Sequence, residues 1–136
     1  MGRNRNELSK NSKWYISKHR YLELKHFCLQ YPEWKREYNK IQNLPPSKSV
    51  VHPNSKSLDG YFIEKIALRK VVLKELMEMV EHTANNSDDY LGLFIFQSVT
   101  TGMSYDILRM NGMACCKDMF YDRYHKFFWL LDKARN

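Results

Sequence analysis

Residues 102–133 read GMSYDILRMNGMACCKDMFYDRYHKFFWLLDK, and the reading turns on whether the final helix of this stretch is wholly a wall of the core or exposes its first part as a working surface. Ser104 can cap a short helix over SYDILRM, and Asn111 with Gly112 can take the positive φ that ends it. A longer helix then starts near Cys116. Phe120, Tyr124, Phe127, Leu131 and Ala134 recur at spacings of four and three, with Phe128 and Leu130 widening the stripe. The back half of this helix is therefore expected in the core. Lys117, Asp118, Tyr121, Asp122 and His125 fall off the stripe, with Arg123 at its edge. Two helices joined by a tight glycine turn form the outline of a helix-turn-helix unit.

Upstream, YLGLFIFQSVTT (residues 90–101) is the most apolar segment. Its Phe, Ile, Val and Thr residues suit a strand, but the acidic cap NNSDD before it and Gly102 after it favour a helix. A long helix is expected before that, from a cap at Ser57, with Phe62, Ile66, Leu73, Met77 and Val80 at helical period. A helix of that length is long for a small domain and suits a brace or a contact with a partner.

The N-terminal third adds a helical hairpin. Ser17 can cap a first helix carrying Leu24, Phe27 and Cys28 on one face, and Pro32 can open a second with Trp34, Tyr38 and Ile41 on one face. Three of the four prolines lie in LPPSKSVVHPNSKS (residues 44–57), which marks a linker. Two parts follow: residues 1–56, a basic arm and helical hairpin, and residues 57–136, a long helix followed by the helix-turn-helix. With no convincing period-two segment, the expected fold class is all-α, a small helical domain.

The 136 residues carry a net charge of +7. Residues 1–56 hold 12 Lys or Arg against 4 Asp or Glu, residues 57–101 hold 4 against 7, and residues 102–136 hold 6 against 4. Basic ends favour a polyanionic partner, since clustered cations attract phosphate and release counterions on contact. Three cysteines, two of them adjacent, fit neither a disulfide framework nor spaced zinc ligands. The five histidines show no paired spacing, so no metal and no cofactor is expected. No phosphate-binding glycine loop, nucleophile elbow or spaced acid pair is present, which argues against an enzyme. The N-terminal stretch lacks the apolar core of a signal peptide and no apolar run reaches membrane-spanning length, so a cytoplasmic protein without a membrane partner is expected.

GMSYDILRM resembles the opening of the helix-turn-helix in region 4 of sigma factors, where Gly, an apolar residue, Ser or Thr, an aromatic and an acid begin the first helix. The longer run to Lys133 is similar to the C-terminal part of small phage and prophage transcription regulators of the RinA and ArpU type. Their recognition helix carries a basic aromatic run, matched here by MFYDRYHKFF (residues 119–128). The sequence departs from that pattern by placing Tyr124 and His125 where consecutive arginines are common, and Cys115 and Cys116 where Ser or Thr caps.

The resemblance implies a sequence-specific, phage-derived regulator that binds double-stranded DNA, with host RNA polymerase or another host protein as a second partner and a homodimer as one arrangement. The DNA-facing candidates are Lys117, Asp118, Tyr121, Arg123, His125, Arg109 and Ser104. Two other classes fit a small basic helical chain: a phage inhibitor that binds a host or defence nucleic-acid-binding protein, and a small terminase-like subunit that binds packaging DNA.

Overall fold

The computed structural model describes residues 12–44 and 56–136, with side chains described from residue 60 onward in the second part. Within these residues the chain is helical and has no strand. Six helices follow in order: α1 (Lys18–Leu29), α2 (Tyr31–Gln42), α3 (Lys56–Ser87), α4 (Gly92–Thr101), α5 (Tyr105–Met110) and α6 (Lys117–Ala134). The apolar segment expected to choose between strand and helix is α4. The N-terminal arm residues Arg3, Arg5 and Lys10 and the proline linker lie outside the described residues.

Local chemistry sets most of the boundaries. Ser17 is extended and its side chain accepts from the Arg20 amide, so α1 starts where a cap was expected. Proline in the first turn of α2 follows a one-residue junction at Gln30, which makes α1 and α2 the expected hairpin. Helix α3 starts at Lys56, so Ser57 falls within its first turn rather than ahead of it. At its other end α3 runs through Asn85, Asn86 and Ser87, about one turn further than their turn propensity suggests. Ser87 is fully buried there and donates to the Ala84 carbonyl at 2.6 Å, which satisfies its hydroxyl inside the helix.

Two glycines take positive φ, Gly102 (80°) at the left-handed cap of α4 and Gly112 (105°) in the turn after α5. Asn111, expected to share that conformation, has a φ of −87°. The glycine alone makes the turn.

The helix-packing surfaces meet in one core. α6 lies against α1, α3 and α4, while α3 lies against α2, α4 and α6. The hairpin therefore shares its core with the C-terminal helices: Leu24, Phe27, Cys28 and Trp34 are buried with Leu73, Val80, Ile95, Phe127 and Phe128. Edge-to-face rings carry the contacts between elements, among them Tyr21 on Phe128, Phe27 on Trp34 and Tyr31 on Phe96. The hydroxyls of Tyr21 and Tyr124 meet at 2.8 Å in the core, so each phenol buries its polar tip on the other. Burial pushes both phenols above their ordinary range.

Gly92 marks a close backbone approach between α3 and α4. A Cβ on Gly92 would lie 2.8 Å from the carbonyl oxygen of Ala84, a backbone atom that cannot rotate away. We expect Gly92→Ala to force the two helices apart and to lower stability by roughly 1–3 kcal/mol, measured as a lower urea midpoint with an unchanged slope.

Candidate nucleic-acid interface

The α4–α5–α6 unit supplies the geometry in question. Ser104 is extended, exposed, and accepts from the Ile107 amide at 3.3 Å, so its hydroxyl is committed to capping α5. Tyr105, the next residue, is buried and donates from its hydroxyl to the Cys115 carbonyl at 2.6 Å. Its ring also packs on Phe120. That single side chain holds the start of α5 to the start of α6. Across the turn, the Ala114 amide donates to the Tyr90 hydroxyl at 3.0 Å, and Met113 is buried beneath.

The turn's tip is open. Arg109, Met110, Asn111 and Gly112 are exposed, as are Lys117, Asp118 and Met119 in the first turn of α6. Cys116 occupies the cap of α6 in extended conformation without a side-chain capping bond. The ammonium of Lys117 sits 5.9 Å from the Tyr105 ring centroid. Among the described residues Arg109 has no carboxylate partner in ion-pair contact. Arg109 and Lys117 are balanced in charge by Asp106 and Asp118 on the same two helices.

The other expected DNA-facing residues are arranged differently. Tyr121 is half-buried, its ring against Phe120 and Tyr124. His125, expected off the apolar stripe, is 6% exposed and packs on Tyr121 and Tyr124. The buried sector of α6 is wider than the stripe, because α6 packs against three helices, α1, α3 and α4.

Arg123 turns toward the protein. Its Nε donates to Asp88 at 3.0 Å and its Nη1 donates to Asp122. Asp88 also accepts from the amides of Leu91 (2.7 Å) and Tyr90 (3.0 Å), so one carboxylate joins α6 to the junction of α3 and α4. Burial alone pushes the Asp88 carboxyl up, but those amides and the guanidinium outweigh it and hold it below its ordinary value. Burial keeps the thiol of Cys115 above its ordinary value, which disfavours a reactive thiolate at the turn.

A second cationic surface escaped the linear reading. Trp14 packs edge-on against Trp129 at 5.2 Å and donates from Nε1 to Asp122 at 3.2 Å. Lys13 and Lys126 lie over the Trp14 ring at 4.7 and 5.7 Å, and Lys133 lies over Trp129 at 4.2 Å. The available signal was Lys126 and Lys133 at three before and four after Trp129, one face of one helix. What no spacing reports is Trp14 arriving from the other end of the chain.

Among the described residues no cluster of His, Cys, Asp and Glu is disposed to hold a metal ion, and no helix is long and apolar enough to cross a membrane. Comparison with protein-family models, curated proteins and solved structures finds no match for this chain.

The Arg123–Asp88 link has a readable energy. We expect Arg123→Ala to cost about 1 kcal/mol, the scale of a half-exposed charge-assisted bond, with a non-additive double variant when combined with Asp88→Asn. Because the folded carboxyl lies below its unfolded value, its contribution is complete above the unfolded pKa of ~3.9 and fades as pH falls through the folded value. Urea midpoints followed into acid should therefore decline less steeply in Asp88→Asn than in the parent chain.

Proposed function

We propose that this protein is a sequence-specific double-stranded DNA-binding transcription regulator of phage type, reading DNA with the tip formed by α5, its glycine turn and the first turn of α6. The observation that carries this reading is the open tip. Arg109 and Lys117 project from an otherwise well-braced unit, and Tyr105 fixes the two helix ends relative to each other.

The chemistry divides between two surfaces. Arg109 can fork onto a guanine edge, Asp118 can accept from a cytosine amino group, and Lys117 can reach a phosphate with help from the first-turn amides of α6. With Asp106 and Asp118 beside them, these cations add little net attraction for a duplex. Affinity then rests on cations elsewhere. Residues 12–44 carry 7 Lys or Arg against 3 Glu, and Lys13, Lys126 and Lys133 add the tryptophan-backed surface. This is the ordinary division in which phosphate contacts position a protein and base contacts specify the sequence.

The footprint is smaller than the sequence resemblance implies. Arg123 and His125 brace the fold in this reading, Ser104 caps α5, and base contact falls to Arg109, Lys117, Asp118 and the exposed edge of Tyr121. Regulation would follow from positioning transcription machinery at the bound site, with host RNA polymerase as the second partner. The inhibitor reading requires no preferred duplex.

The test is selection of bound sequences from a random duplex pool at near-physiological salt. We expect an enriched motif that is blurred at one or two positions in Arg109→Ala, a change worth roughly 1–3 kcal/mol of discrimination at the contacted base. Lys117→Ala should weaken all duplexes evenly and reduce the salt slope by about one. A pool that emerges without enrichment would refute sequence-specific reading and leave the protein-binding alternative.

A further inference from the structure

Where α4 ends and α5 begins, the chain leaves a cleft that α1 and α6 also line, with a volume of about 220 Å³. Val99, Phe120 and Tyr124 are buried in its lining, and Lys25, Leu29 and Tyr121 are half-buried there. Four helices thus contribute to one concave site.

Its walls are held by bonds within the fold. Ser98 donates to the Met103 carbonyl at 2.8 Å across the left-handed turn at Gly102, and Tyr105 donates to the Cys115 carbonyl at 2.6 Å. The Tyr124 hydroxyl is met by that of Tyr21 at 2.8 Å. A ligand entering walls already fixed in this way does not have to order them.

Charge in the cleft has one sign. Lys25 is the only charged side chain along it, and no Asp or Glu is among the lining residues. Among the described residues Lys25 has no carboxylate in ion-pair contact, whereas Arg20 on the same helix is held by Asp132 and Glu23. Ser104 adds a donor, since its oxygen accepts from the Ile107 amide and its own O–H remains able to donate. A cation would find no counter-charge here. An anion finds an ammonium and a hydroxyl.

Shape and size narrow the ligand further. Phe120, Tyr121 and Tyr124 supply aromatic surface on which a planar ring can pack. The volume falls below the roughly 300–1,000 Å³ of sites for drug-sized ligands, so the cleft suits one ring with a short substituent and not a nucleotide. We propose that this cleft binds a small aromatic monoanion, a single ring carrying a carboxylate, with the carboxylate on the Lys25 ammonium and the ring against Phe120 and Tyr121. The site is independent of duplex reading. Its charge comes from α1, and of the residues proposed to face bases only Tyr121 lines it.

Titration of the isotope-labelled full chain with sodium benzoate, followed by amide chemical shifts, tests the site. Benzamide serves as the neutral ring, benzylammonium as the cationic ring and acetate as the anion without a ring. We expect saturable benzoate shifts at Gly102, Met103 and Ser104, with a Kd on the order of 1 mM or tighter. The other three probes should bind at least about 10-fold more weakly. Lys25→Met keeps the apolar stem and removes the charge, and should weaken benzoate about 10-fold without changing benzamide. Lys40→Met removes the same charge from an exposed position on α2 and should leave benzoate binding as it was. Absence of saturable benzoate shifts, benzamide or acetate binding as tightly as benzoate, or equal effects of Lys25→Met and Lys40→Met would each overturn the site. The comparison of probes on the parent chain depends on no variant folding, and it involves no DNA, so its failure is distinct from a failure of duplex selection.

Discussion

Burial of one aromatic seam governs the packing of this fold. Along α6, Phe120, Tyr124, Phe127, Phe128 and Leu131 are almost wholly removed from water, and they do so against three different helices. A seam of that size is the main favourable term available to a chain this short, because aromatic rings bury large areas and orient one another edge to face. Its polar interruption, Tyr124, is tolerated because Tyr21 brings a second hydroxyl to the same buried point. The seam thus requires the N-terminal hairpin to dock. Without α1 the Tyr124 hydroxyl loses its partner and Phe128 loses a face.

That docking explains how the rest of the surface is used. Once α1 and the segment before it lie on α6, Trp14 reaches Asp122 and Trp129, and Arg20 reaches Asp132 at 2.6 Å. The helix expected to offer a long free face keeps only its first turn and a lysine-studded outer edge open. Arg123 is drawn to Asp88 for a related reason: the α3–α4 junction presents a carboxylate already held by two backbone amides, an organised partner for a guanidinium. A site read from α6 alone overstates what α6 can touch.

The α5–α6 tip and the forward half of α3 are opposite kinds of surface. The α5–α6 tip is polar, short and fixed by Tyr105, qualities that suit base reading by a few side chains. The forward half of α3 leaves six large apolar side chains exposed around the helix.

What the sequence by itself determined is the helical class, the element order and most of the boundaries. Those properties are local: serine caps at Ser17 and Ser104, a proline near the start of α2, glycine conformations at 102 and 112, and three-four periodicity act within a few residues of the chain. The caps at Ser57 and the φ of Asn111 are small departures of the same local kind. Only the tertiary structure decided which exposed-looking residues are exposed. His125 and Phe62 exchange their expected environments because burial depends on what packs alongside: His125 is buried on α6, which lies against α1, α3 and α4, and Phe62 is exposed on α3. Periodicity reports which residues share a face, but the neighbour that covers the face comes from elsewhere in the chain, or from another chain.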